Sequence, residues 1–263
     1  MANGGTQAAN PAASPAALTP EGLHALLKKA NPKYNGQAKF ESADEFIIVD
    51  LSGTEVTDLS PLKGLPIAAL DLRNLAVTDL RPLQGLPLRE LYLEQTRVED
   101  LTPLRGLLLV KLYLSQSAVK NLSPLQGMPL IELNLLGCGV TDLEPLRGMP
   151  LQSLWLNETS VKDIAPLAQC PLISLTLHRT LVQDLAPLAR CPLTRLHIAE
   201  TPVADLTPLK GLALTRLIFT PSRITNGLEV ARKMGSLQEM GTTLEERMAP
   251  EAFWALWDQG KLK

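Results

Sequence analysis

A β-branched residue returns every 21 positions along this chain, at Val56, Val77, Val98, Val119, Val140, Val161, Val182, Val203 and Ile224, with no insertion between any two. Three residues after each of the first eight, Leu59, Leu80, Leu101, Leu122, Leu143, Ile164, Leu185 and Leu206 keep the same step. A proline column from Pro61 to Pro208 follows two residues later. A fixed period of this length marks a stacked repeat, because one such unit cannot bury its own apolar face and neighbours must complete the core. In one unit the inward set is Val77, Leu80, Leu83, Leu86, Leu88, Leu91 and Leu93.

Within that unit, Leu88-Arg-Glu-Leu91-Tyr-Leu93 alternates as a short strand does, and it pairs in parallel with the next coil about 4.8 Å away. The Asp-Leu-x-Pro-Leu segment returns on the opposite side as a turn or a single 3-10 turn, since proline fixes φ and removes a donor. The expected fold class is an α/β repeat solenoid. It is a right-handed superhelix with a parallel β-sheet on the concave face, turns or 3-10 segments on the convex face, and helical caps. Nine strand-bearing coils occupy 46–223. An N-terminal helical and hairpin cap fills 19–45, its helix running from Thr19-Pro20-Glu21 to about Ala30, with 37–41 paired against 46–51. A C-terminal cap fills 224–263: Asn226 opens a longer helix, Leu237 and Met240 mark a final irregular coil, and Phe253, Trp254 and Trp257 seal the last layer. Residues 1–18, rich in Ala, Pro, Gly and Asn, read as a disordered tail or linker and hint at a longer parent chain.

The LxxLxL and Asp-Leu-x-Pro-Leu elements resemble those of bacterial leucine-rich repeat proteins of the internalin-like type, from residue 46 to about residue 240. The resemblance implies a non-enzymatic solenoid that binds another protein. Two departures stand out. Internalin units usually carry one residue more, and their asparagine column is replaced here by Thr54, Leu75, Thr96, Ser117, Cys138, Thr159, Thr180, Thr201 and Ser222. The stretches NPKYNGQAKF and PEAFWALWDQGK resemble caps of large bacterial leucine-rich repeat proteins, some of which append the repeats to a kinase-like domain. That link implies the alternative of a structural or regulatory module within a longer chain. This sequence itself has no glycine-rich loop, HRD or DFG.

A net charge of −2 is a poor match for a phosphate backbone, so nucleic acid is not expected as a partner. No apolar run is long enough to span a bilayer, and the N-terminus lacks the parts of a secretory signal. The compartment stays open, with the cytoplasm favoured, and a monomer is expected. Three cysteines cannot make a disulfide framework. Cys170 and Cys191 replace core leucine or methionine in adjacent coils and are expected as free thiols, although a disulfide between coils is conceivable. The aspartate column (58, 79, 100, 142, 163, 184 and 205, with Asn121 and Asn226) could hold calcium. It is better read as a turn cap accepting a backbone N–H, a role in which asparagine substitutes freely. No metal or cofactor is expected.

The outward strand positions are not needed for the core, and they carry most of the polar chemistry. The middle position reads Asp50, Asp71, Tyr92, Tyr113, Asn134, Trp155, Thr176, His197 and Ile218. Glu94, Leu136, Asn157 and His178 lie two residues on; Glu90, Lys111 and Arg195 lie two residues before. The face is acidic in the first coils, aromatic in the middle and basic towards the end. Aromatic residues flanked by polar groups are what protein interfaces use as anchors. The expected contact set is Tyr92, Tyr113 and Trp155 as anchors, with Glu90, Glu94, Lys111, Asn134, Leu136, Asn157, His178, Arg195 and His197 around them. The plainer reading is that aromatic residues suit strands and stack across neighbours. A catalytic or metal role for His178 and His197 lacks further ligands, and Ser174 beside His197 lacks an activating elbow.

Overall fold

A computed structural model describes residues 19–262; the expected tail at 1–18 lies outside the described residues. Twelve strands form one open sheet in sequence order. Strand β1 (Lys39–Ala43) is antiparallel to β2 (Phe46–Asp50), which runs parallel to β3 (Ile67–Asp71) with a register shift between Ile47 and Ile48. The parallel ladder continues through β4 (Glu90–Tyr92), β5 (Lys111–Tyr113), β6 (Glu132–Asn134), β7 (Ser153–Trp155), β8 (Ser174–Thr176), β9 (Arg195–His197) and β10 (Arg216–Ile218). One more parallel strand, β11 (Glu239–Gly241), follows, and β12 (Arg247–Met248) folds back antiparallel on it. Residues 21 apart pair along the repeats, so each sequence column is a row across the sheet.

The core is the stack of repeat layers. The valines from Val56 to Val182 and the strand leucines Leu70, Leu91, Leu112, Leu133, Leu175 and Leu217 are all fully buried at 0% exposure. Opposite the sheet, each Asp-Leu-x-Pro-Leu segment makes a 3-10 turn, as at Arg81–Leu83 and Ser123–Leu125. The column before it caps that turn. Oδ1 of Asp58, Asp79, Asp100, Asn121, Asp142, Asp163, Asp184 and Asp205 each accepts the backbone N–H two residues on, at 2.7–2.9 Å. A bond that asparagine makes as well as aspartate accounts for Asn121 in the column.

Two columns set the chain reversals. Gly64, Gly85, Gly106, Gly127, Gly148 and Gly211 take positive φ after the 3-10 turn. Where Gln169 and Arg190 replace glycine, the chain avoids that conformation. The turn lengthens to Ala165–Gln169 in one coil, and Ala189 becomes right-handed in the next. The second column follows the strands. Gly53, Asn74, Gln95, Gln116, Gly137, Glu158, Arg179 and Glu200 are all left-handed, with φ from 56° to 70°. In the adjoining ladder column, the hydroxyls of Thr54, Thr96, Thr159, Thr180 and Thr201 donate to the carbonyl three residues back at 2.6–2.7 Å. Cys138 fills the same column and reaches the Leu114 carbonyl at 3.0 Å. All three cysteines are free and buried.

The ends are closed by different means. Helix α1 (Pro20–Ala30) begins with Thr19 Oγ1 accepting the Gly22 N–H, and it buries Leu23 and Leu27. Asn31 ties it to the first coil. Its amide donates to the Asp58 carbonyl at 3.0 Å, and its Oδ1 accepts N–H groups of Thr57 and Asp58 at 2.9 Å. At the other end, helix α2 (Leu228–Arg232) is only 5 residues long, shorter than Asn226 suggests. Asn226 instead bridges Asp205 in parallel, extending the turn column by one coil, and the helix starts after Gly227. Gly227 has φ +77°, and a Cβ there would lie 2.5 Å from the Thr207 nitrogen. Helix α3 (Pro250–Asp258) then closes the stack: Phe253 is fully buried against Phe219 at 5.6 Å, and Trp254 lies under the Arg232 guanidinium at 4.9 Å.

Candidate functional site

The outer face of the sheet carries a continuous aromatic ridge. Parallel register puts Tyr92 beside Tyr113, with ring centroids 5.2 Å apart and planes tilted by 34°. Trp155 stands two strands away, yet its ring reaches over Asn134 to within 5.9 Å of Tyr113. At the other end the Arg73 guanidinium sits over Tyr92 at 5.8 Å, held by Asp71. The ridge therefore joins strands β3 to β7.

Carboxylates hold the two tyrosines. Tyr92 donates its hydroxyl to Glu90 at 2.7 Å, and Tyr113 donates to Glu132 at 2.5 Å. Lys111 pairs with the other oxygen of Glu90 at 3.0 Å. Burial and then the carboxylate partner push both tyrosine hydroxyls well above the ordinary range. Partial burial favours neutral Glu90, but hydrogen bonds from Tyr92 and Lys111 outweigh it and hold the carboxyl below its usual range. Glu94 is different. Burial raises it, and its Oε2 is buried without a hydrogen-bond partner.

Sequence reasoning placed Asn134, Leu136, Asn157, His178, Arg195 and His197 on the same face. The structure brings them to that side, but not all of them to the surface. Asn134 and Leu136 are half-buried, and Asn134 Oδ1 accepts the Leu136 N–H at 3.0 Å. Arg195 is exposed. His178 is partly buried, with Nδ1 3.1 Å from the Ala199 carbonyl. Two of them are less exposed than strand alternation alone suggests. Asn157 is only 8% exposed and works as a bracket, its Oδ1 accepting the His178 N–H at 3.2 Å. His197 is 5% exposed, and Leu244, from the segment between β11 and β12, lines the same pocket. That segment lies outside the repeat, so periodicity gave no sign of it.

Burial drives His197 down to about 4, with the neighbouring His178 acting in the same direction. The two imidazoles stack at 4.9 Å, and neither nitrogen of His197 has a hydrogen-bond partner. No group of three His, Cys, Asp or Glu among the described residues is placed to hold a metal ion. No helix among them is long and apolar enough to cross a membrane.

Stacked short strands, 3-10 returns and a column-by-column core define a leucine-rich repeat solenoid. No protein-family model matches the chain, and no curated protein matches it. Solved structures do. Internalin C2 from Listeria monocytogenes is 26% identical with a TM-score of 0.63, over 75% of this chain and 92% of that one. An internalin (InlF) of the same organism is 25% identical with a TM-score of 0.53, over 80% and 76%. A leucine-rich repeat protein of Leptospira interrogans shares the fold at 18% identity and a TM-score of 0.53. The chain has the leucine-rich repeat fold and is similar to these internalins, in keeping with its LxxLxL units. A protein-interaction module is the general role of that fold.

Proposed function

We propose that this protein is a non-enzymatic recognition module that binds a partner protein on the outer, strand-bearing face of its sheet. The ridge of Tyr92, Tyr113 and Trp155 is the observation that carries this reading. Large amphipathic rings with few torsions lose little entropy on binding, and here their partners already fix them. Glu90, Lys111 and Glu132 surround the ridge with charge and set the register of a partner, in the manner of a polar rim around an anchor. The core needs none of the three rings, since the inward positions of the repeats are filled by other residues, mostly leucine and valine with some methionine and cysteine.

Affinity capture with the wild type and with the Tyr113→Ala/Trp155→Ala double variant tests the reading. A partner held by the wild type should be lost by the variant while circular dichroism stays unchanged. Equal retention by both proteins would place the binding surface elsewhere.

A further inference from the structure

Towards the basic end of the outer face, where the aromatic ridge ends at Trp155, lies a pocket of about 290 Å³. Trp155 and Leu244 give it apolar walls, and its polar lining includes Ser174, Thr176, His197, Arg195 and Arg216. Register explains the grouping: Trp155, Thr176 and His197 are neighbours in one row across β7, β8 and β9, and Ser174 and Arg195 are neighbours in the row two residues before.

Three polar atoms of this pocket are buried without any hydrogen-bond partner: Thr176 Oγ1, His197 Nδ1 and His197 Nε2. Buried polar groups are almost always paired, and an orphaned one costs free energy. Among the described residues Arg195, unlike Arg216 beside it, has no acidic partner; Arg216 is bound to Glu239. The lining thus offers three kinds of donor: a hydroxyl, one imidazole N–H and a guanidinium outside any ion pair.

We propose that this pocket takes a carboxylate of a bound polypeptide, with Arg195 as its charge partner, Thr176 and His197 as donors, and Trp155 and Leu244 against the adjoining methylenes. The inference rests on the reading that the outer face binds protein, and it specifies the chemistry of the partner at one end of that face. A cationic side chain would meet Arg195, and a neutral amide would leave the guanidinium unpaired. A phosphate dianion calls for more positive charge than one free guanidinium supplies.

The test uses small probes and no partner protein, with NMR of the Trp155 indole N–H and the His197 ring as readouts and the indoles of Trp254 and Trp257 as internal controls. The probes are N-acetyl-leucine, N-acetyl-aspartic acid α-amide, the neutral N-acetyl-leucinamide and inorganic phosphate. Saturable shifts at Trp155 and His197 are expected with at least one acid, with affinity at least about ten-fold weaker for the neutral amide and for Arg195→Gln. A response to N-acetyl-leucine alone assigns a chain terminus, and a response to the aspartic acid amide alone assigns a side chain; both support the proposal. Arg195 is exposed, and an unchanged amide spectrum of Arg195→Gln away from the pocket verifies its fold. No saturable shift with either acid, equal affinity for the neutral amide, or tighter binding of phosphate than of both acids overturns the proposal. Such a result leaves the ridge reading standing, because partner capture through Tyr113 is a separate measurement.

Discussion

Acid should loosen this protein through one residue before its carboxylates begin to titrate. His197 is 5% exposed, and burial holds it near about 4 against an ordinary value of 6.5. The unfolded chain takes up a proton at His197 as pH falls below about 6.5, while the folded protein resists until about 4. Stability is therefore intact above the upper value and is lost progressively as pH falls through that window. The full window corresponds to about 3 kcal/mol, of which about 2 kcal/mol falls between pH 7 and pH 5. Glu94, raised by burial, has the opposite sign and gains stability on acidification. A comparison with His197→Phe removes that contribution, since the variant keeps an aromatic ring against His178 and has no proton to bind at that position. Urea midpoints at pH 7 and pH 5 are the assay. The wild type should lose about 2 kcal/mol more than the variant between the two pH values. Equal losses in the two proteins would refute the argument that His197 is held neutral by burial.

Other perturbations follow from the same geometry. Thr176→Val removes an orphaned buried hydroxyl and should raise stability by about 1 kcal/mol, read as a shift of the urea midpoint at unchanged slope. Gly127→Ala meets open space but a φ of +74°, so the strain alone should lower stability by about 1–2 kcal/mol in the same assay. Tyr113→Phe keeps the ring and loses the bond to Glu132; on this partly exposed face the cost should stay below about 1 kcal/mol, and a larger fall in thermal midpoint would count against the exposed placement.

Much of this molecule is legible because its sequence columns are also rows in space. Once Val56 and Val77 are seen to be one turn of the solenoid apart, the core, the strand register and the turn caps at Asp58 to Asp205 follow together. The outer face is less legible. Alternation places Tyr92 and Trp155 on the same side, but it does not reveal that Trp155 leans across Asn134 to meet Tyr113. Nor does it reveal that His197 is buried, or that Leu244, which belongs to no column, lines a pocket with it. Packing inside the caps is hidden for a similar reason, although their helices and hairpin are not. Tyr34, 2% exposed, is bonded through its hydroxyl to His24 at 2.5 Å and to the Ala38 N–H at 3.2 Å, and no repeat position predicts it.

The left-handed residues after the strands bear on how such an array can vary in length. Each coil from Gly53 to Glu200 reverses direction through one such residue, and the next position in the column is Pro221, whose ring forbids positive φ. There the chain turns through Pro221–Arg223 instead and passes into the closing segment. Pro221 thus acts as punctuation. Interior units before it share this strand-end reversal and a constant length of 21 residues, so a whole unit can be deleted or duplicated in the gene while the phase of every remaining column is preserved. Reach along the sheet is then adjustable in steps of one layer, independently of what the face recognises.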